Sequence, residues 1–298
     1  MMTQKNTRIA YGLNMGLIGP TALSLWSAIR STPSLGHVEI LDVELTEAAR
    51  DILRRIAGPA GVAITFHAMQ DSDFDAARHK GRHVPKAALA RLFLPRLVED
   101  RVLYIDGDTL VRRDLAEAFT ADLEGKPLGA VRDFGCLQGL DRVRRGKSWS
   151  HREVTEQLVA PFPVEDYFNS GVLLMDCAAI RNEGTLAQDM ITFDRAQEYR
   201  TVDQDFLNEL FKGRVKHLNP AWNASWGRTA QQRTWIGLHG HDGPETQREA
   251  DGIYHFHGPL KPWRKLPSNR WRRSIPAVAR YKLALRSFRK AFPDVPFD

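Results

Sequence analysis

Between Arg8 and Ile105 the sequence alternates short apolar runs with amphipathic stretches, and this alternation constrains the fold more than any other feature. Arg8–Leu13, His37–Val43, Gly61–Phe66 and Arg101–Ile105 read as strands. Thr21–Arg30, Thr46–Ala57 and Pro85–Val98 read as the intervening helices. Thr46 is a candidate N-cap, and Pro85 sits in a first turn, where its missing N–H costs little. Strands separated by helices pack as right-handed βαβ units around a mostly parallel sheet flanked by helices, so the expected fold class is α/β. Ligands of such sheets bind beyond the carboxyl ends of the strands. A competing reading exists for Ile9–Ile29, which carries no charge and follows Lys5 and Arg8 as a signal anchor would. Gly12, Gly16, Gly19 and Pro20 punctuate it, and Asn14, Thr21, Ser24 and Ser27 add polar groups. A strand, a glycine-rich loop and a helix fit that pattern better than one spanning helix.

The second half is less regular. Leu128–Arg132 and Phe168–Met175 read as strands and Val202–Phe211 as a helix. Phe134–Pro163 reads as a polar insertion, and Trp222, Trp226 and Trp235 fall in an irregular stretch. Charge divides the chain more sharply. Of 42 Lys and Arg, eleven lie between Lys261 and Lys290, where no acid occurs, so the net charge of +6 conceals a preceding segment that is three charges negative. Two cysteines, Cys136 and Cys177, exclude a disulfide scaffold and a cysteine-rich zinc site.

The best local signal is Val102-Leu103-Tyr104-Ile105-Asp106-Gly107-Asp108, an apolar strand running out into two carboxylates. Positions i and i+2 of an extended chain face the same way. Two carboxylates so placed repel unless a cation lies between them, and hard divalent ions take such oxygens readily. An acidic turn without a metal is the plain alternative.

These residues, with three later segments, resemble glycosyltransferase family 8, retaining nucleotide-sugar transferases that include bacterial lipopolysaccharide galactosyl- and glucosyltransferases and glycogenin. The segments are Leu103–Asp108, Phe168-Asn169-Ser170-Gly171-Val172-Leu173-Leu174, Asp203-Gln204-Asp205-Phe206-Leu207-Asn208 and His255-Phe256-His257-Gly258-Pro259-Leu260-Lys261-Pro262-Trp263. The resemblance implies a GT-A-type fold and a retaining transfer of galactose or glucose from a UDP-sugar to a saccharide, lipopolysaccharide or another cell-surface glycan. It implies Asp106, Asp108 and His255 as ligands of Mn²⁺, with Mg²⁺ as the alternative. Arg91, Asp106, Gly258 and Lys261 would meet the donor, Lys261 as a mobile charge at the diphosphate. Gln204 would lie near the reacting sugar carbon with Asp203 beside it, while Asn169 and Asp133 would contact sugar hydroxyls. Lys86 is a weaker donor contact, and Asp203 is equally readable as a helix N-cap. His257 reads as a packing neighbour of His255. The loop Gly12-Leu13-Asn14-Met15-Gly16 departs from the family, since Asn14 stands where an acid is expected. Gly12 and Asn14 are still read as cofactor-binding, Asn14 through its amide at the base edge.

Residues 1–266 are accordingly read as the catalytic domain and 267–298 as a basic aromatic extension. Trp263, Trp271, Tyr281 and Phe288 are interleaved with the extension's cations, and Ile275, Val278, Leu283 and Leu285 give it an amphipathic pattern. An anionic membrane surface is favoured over nucleic acid as its partner. This places the protein in the cytoplasm, with peripheral contact at the inner membrane face as an option. Two other function classes compete: a non-catalytic sugar-nucleotide-binding protein of the same fold, and an aspartyl phosphatase of the haloacid dehalogenase type. The phosphatase motif normally opens its fold, whereas at least three strand–helix units precede Asp106 here.

Overall fold

The computed structural model describes residues 5–70, 72–74, 86–192, 199, 201–266 and 274–297. The first half follows the alternation read from the sequence: β1 (Thr7–Leu13), α1 (Ile18–Ser31), β2 (Leu35–Asp42), α2 (Glu47–Ala57) and β3 (Ala63–Ala68). Thr46 is the N-cap of α2 and accepts from the Ala49 N–H at 3.3 Å. Pro85 lies outside the described residues, and the helix expected after it is segmented. It comprises α3 (Lys86–Ala90), a 3₁₀ turn (Arg91–Phe93) and α4 (Leu94–Leu97). Next come β4 (Arg101–Ile105), β5 (Thr109–Val111), α5 (Ala116–Phe119) and β6 (Leu128–Arg132).

The expected polar insertion is helical. α6 (Phe134–Arg144) and α7 (Arg152–Val159) bury Phe134, Cys136, Leu137 and Leu158 in two small apolar clusters. β7 (Phe168–Asp176), α8 (Cys177–Asn182), α9 (Leu186–Asp189), α10 (Val202–Leu210) and β8 (Val215–His217) follow. The tryptophan-rich stretch is ordered as well: a 3₁₀ turn (Pro220–Asn223), β9 (Ala224–Ser225) and α11 (Thr229–Leu238) carry it. Trp235 of α11 packs at 5.0 Å on Phe134. β10 (Ile253–His255) and α12 (Ile275–Ala291) close the described chain.

Seven strands form one sheet in the order β3-β2-β1-β4-β7-β6-β8. Its pairings are parallel except those of β7, which runs antiparallel to both β4 and β6. The expectation of a mostly parallel α/β sheet therefore holds. A second sheet, β5-β10-β9, stands at the carboxyl edge of the first, because β5 continues β4 through the turn at Asp106–Asp108. The metal motif is thus a turn between two sheets, not a continuous extended segment.

The C-terminal helix changes one expectation. Ala277, Tyr281, Leu285 and Phe288 of α12 are buried in the same core cluster as Leu23 and Leu25 of α1. Trp26 meets Phe288 edge-on at 5.7 Å, and Phe256 meets Tyr281 at 5.0 Å. Val278 and Leu285 of the pattern assigned above to a membrane interface are therefore buried inside the protein, while Ile275 and Leu283 stay exposed. Among the described residues, no helix is long and apolar enough to cross a membrane.

Candidate active site

β1 and β4 run parallel with Ala10 opposite Tyr104, so Gly12, Asn14 and Asp106 all leave the sheet at one edge. At that edge Asp106, Asp108 and His255 each turn one ligand atom inward, and the three atoms lie within 4.8 Å of one another. Antiparallel pairing of β10 with β5 places His255 opposite Thr109 and so beside Asp108. His255 Nε2 stands 3.2 Å from Asp108 Oδ1 and 3.6 Å from Asp106 Oδ2. β7 can approach this cluster because residue 171 is glycine: a Cβ there would fall 2.2 Å from His255 Cε1 and 2.7 Å from Asp106 Oδ2.

The remaining oxygens are committed. Asp106 Oδ1 accepts from the Tyr104 hydroxyl at 2.8 Å and pairs with Arg91 Nη2 at 2.9 Å. Asp108 Oδ2 pairs with Lys261 Nζ at 2.5 Å, and Lys261 also donates to the Phe256 carbonyl. Burial raises the Asp106 pKa, against the pull of Arg91 and His255. Burial also acts to raise Asp108, but His255 and Lys261 outweigh it and hold that carboxyl well below its ordinary range. The two neighbouring acids are thus driven apart in their affinity for a proton.

A chain of amides fixes the His255 ring. The Gly171 N–H donates to Asn169 Oδ1 at 3.1 Å, which settles that amide's orientation, since a backbone N–H can only donate. Asn169 Oδ1 also accepts from Asn223 Nδ2 at 2.8 Å. Asn223 Oδ1 therefore faces His255 Nδ1 at 2.8 Å as an acceptor. Nδ1 therefore carries a proton, and Nε2 is the nitrogen that faces the two carboxylates. That buried nitrogen has no hydrogen-bond partner among the described residues. Two carboxylate oxygens and an unpartnered imidazole nitrogen fit a divalent cation such as Mn²⁺. Asn223 carries no motif signal; only the fold brings it beneath the ring.

Gln204 and Asn169 are brought together. Gln204 Oε1 accepts from Asn169 Nδ2 at 2.9 Å and from the Ser170 N–H at 3.2 Å. Its Nε2 donates to the Tyr167 hydroxyl, which in turn donates to Asp205. Asp203 is not an N-cap: Thr201 holds that position, and Asp203 Oδ2 accepts from Ser170 Oγ at 3.0 Å. Asp133 caps α6 through the Cys136 N–H at 2.7 Å and accepts from Asn169 Nδ2 at 3.2 Å; burial raises its pKa.

Arg91 is only 4% exposed. It donates to the Ala88 and Ser170 carbonyls and stands between Asp106 and Asp203, the latter 3.6 Å from its Nε. It acts here as a bracket that positions both acids. Lys86 pairs with Glu44 at the surface. Asn14 caps the 3₁₀ turn Met15–Leu17 and accepts from the Gly16 N–H at 3.1 Å, leaving its amide nitrogen for a ligand. A Cβ on Gly12 would meet the Ala87 carbonyl at 2.4 Å, so that glycine admits α3 against β1. Gly258 has φ +87° with open space around the missing Cβ, which suits a close backbone approach to a ligand. His257 shares a hydrogen bond of 2.7 Å with Ser225 Oγ, and burial, with His255 beside it, pushes its pKa down to about 3.

This geometry sits in a chain whose residues 8–266 match the Glycosyl transferase family 8 profile. The chain belongs to glycosyltransferase family 8. General stress protein A of Bacillus subtilis (strain 168) is 29% identical over 211 residues, 68% of each chain. The lipopolysaccharide 1,2-glucosyltransferase of Escherichia coli (strain K12) is 26% identical over 206 residues, covering 68% of this chain but 54% of that one. A solved structure of the galactosyltransferase LgtC in complex with donor and acceptor sugar analogs superposes with a TM-score of 0.69 at 24% identity, covering 94% of this chain and 96% of that one. The WbbM bifunctional glycosyltransferase superposes at 0.68 and 19% identity, covering 89% of this chain and 48% of that one. These likenesses show a GT-A fold. Within that family 8 fold, the Asp-Asp-His cluster lies where β4 leaves the sheet, as expected for a ligand site of an α/β protein.

Proposed function

We propose that the chain transfers a hexose, galactose or glucose, from a UDP-sugar to a saccharide acceptor, in lipopolysaccharide or another cell-surface glycan, with retention at the anomeric carbon. The observation that carries this reading is the convergence of Asp106 Oδ2, Asp108 Oδ1 and the unpartnered His255 Nε2 beside Lys261 and the Asn169–Gln204 amides. Asp106, Asp108 and His255 would hold the divalent cation, whose chemistry when bound is to stabilise the charge of the departing diphosphate. Lys261 releases Asp108 and turns to the diphosphate, adding a second positive charge as the sugar bond breaks. Gly258 lets the backbone follow the phosphates. Arg91 holds Asp106 and Asp203 in register. Gln204 Oε1 already accepts two hydrogen bonds, which occupies the lone pairs a nucleophile would use. That favours attack from the face the leaving group vacates.

The reading of the tail as a membrane contact now rests on charge and on the exposed Ile275 and Leu283. Lys282, Arg286, Arg289 and Lys290 lie on the exposed side of α12, while its aromatic residues are buried. A contact of the inner membrane face with this helix would be electrostatic and salt-sensitive.

The test is a screen of UDP-sugars with Mn²⁺, reading released UDP. A UDP-hexose should be turned over, and excess chelator should stop the reaction. Binding of UDP-hexoses in a calorimeter without turnover would make the chain a sugar-nucleotide-binding protein. Product NMR showing an inverted linkage would remove retention.

A further inference from the structure

Behind the metal cluster the structure holds a second charged site. Neighbouring residues of a strand face opposite ways, so Tyr254 of β10 points away from the side occupied by His255. Tyr254 lies in the wall of an open cleft of about 1000 Å³, formed by the end of β5, α11, the segment before β10 and α12. Four arginines line it: Arg112, Arg233, Arg248 and Arg280. Arg112 and Arg280 both donate to the Tyr254 hydroxyl, each at 2.7 Å, so two guanidinium groups are pinned to one oxygen. Both also lie over the Tyr254 ring, at 4.7 and 6.0 Å. Among the described residues none of the four arginines has a carboxylate partner. The acids of the cleft are engaged elsewhere: Glu249 pairs with Arg113, and Asp251 accepts from Thr229. Arg233 has a buried Nη1 that meets no acceptor among the described residues.

We propose that this cleft binds a phosphate group, carried by a ligand that the metal cluster does not hold. Like charges fixed side by side on a phenol are costly unless an anion completes them, and planar guanidinium groups match phosphate oxygens in pairs. Arg233, which lines the same cleft, adds a third guanidinium. The bearer of the phosphate is either a phosphorylated saccharide in solution or a lipid headgroup, and the same arginines would meet either.

The full chain is titrated in excess chelator, which disables the metal cluster, with glucose 6-phosphate and with unphosphorylated glucose. A parallel arm measures sedimentation with phosphatidylcholine vesicles containing phosphatidylglycerol. The expected result is a complex with glucose 6-phosphate at a Kd of about 1 mM or tighter, none with glucose, and affinity weakened about tenfold in Arg112→Gln/Arg280→Gln. Arg233→Gln, which leaves Tyr254 and its two partners in place, should weaken it as well. Donor turnover should be unchanged in all variants. Vesicle binding alone, lost in the same variants, assigns the phosphate to a lipid headgroup and supports the site. Absence of binding in both arms, or equal binding by wild type and both variants, overturns it.

Discussion

His255 and Tyr254 are adjacent in the sequence and meet opposite charges. On the His255 face two acids converge on a ring nitrogen, and Asp108 is 8% exposed. On the Tyr254 face arginines surround a phenol at the lip of an open cleft. The contrast is one of burial as much as of sign. A charge away from water must be neutralised or paired, whereas an exposed one is held by hydration. The expectation is a tight, selective site on the buried face and readily exchanged ligand on the open one. One strand separates them by a single peptide.

The severest way to break this comparison is to remove α12, which serves both faces. It supplies Arg280 to the cleft and packs Tyr281 against Phe256 beneath β10. Truncation after Pro267 should unfold the protein, read as loss of the cooperative melt, because Phe288, Tyr281 and Leu285 leave the main core. Phe288→Ala alone should cost about 3–5 kcal/mol in denaturant unfolding. A truncated protein that melts like the full chain would make the helix an accessory element.

Asp108→Ala isolates the buried face. Turnover should fall by at least about a hundredfold, with the melt preserved and phosphate binding in the Tyr254 cleft unaltered. Equal turnover in that variant would remove Asp108 from the ligand set. Asn223→Ala is a subtler cut, since the Asn223 side chain is hydrogen-bonded to His255 and Asn169 and to no other described residue. Mn²⁺ affinity should weaken by about 10–100-fold, measured by titration. Nitrogen NMR of the imidazole should show the Nδ1 proton no longer fixed. A merely structural role would leave the tautomer unchanged.

The buried face was partly legible in the sequence, and the open one was not. Asp106, Asp108 and His255 stand in local motifs, and the strand–helix alternation placed the first two at a sheet edge. Local readings failed where the burying partner is distant in the chain. Phe134–Pro163 looks polar, yet Phe134 and Leu137 find Trp235 and Ile236 across the fold. The aromatic residues of α12 suit a lipid boundary equally well until α1 is seen to cover them. Asn223 and Tyr254 carry no pattern at all. Their roles come from pairings across β5, β9 and β10, contacts between positions far apart in the sequence, such as Tyr254 with Leu110 and with Ala224.

Ionic strength offers the mildest way to sharpen the contrast. Exposed charges are screened over about 8–10 Å at ordinary salt, whereas buried groups are screened much less. Raising sodium chloride from about 50 to about 500 mM should weaken phosphate binding in the cleft several-fold. Mn²⁺ affinity at the Asp106–Asp108–His255 cluster should change far less, because Asp108 and His255 are buried. The Tyr254 phenol does not complicate the comparison: burial raises its pKa, so it stays neutral through the working range, and the arginines keep their charge. Equal salt sensitivity at the two sites would mean that the cluster is open to solvent in solution, and that the two faces differ in sign alone.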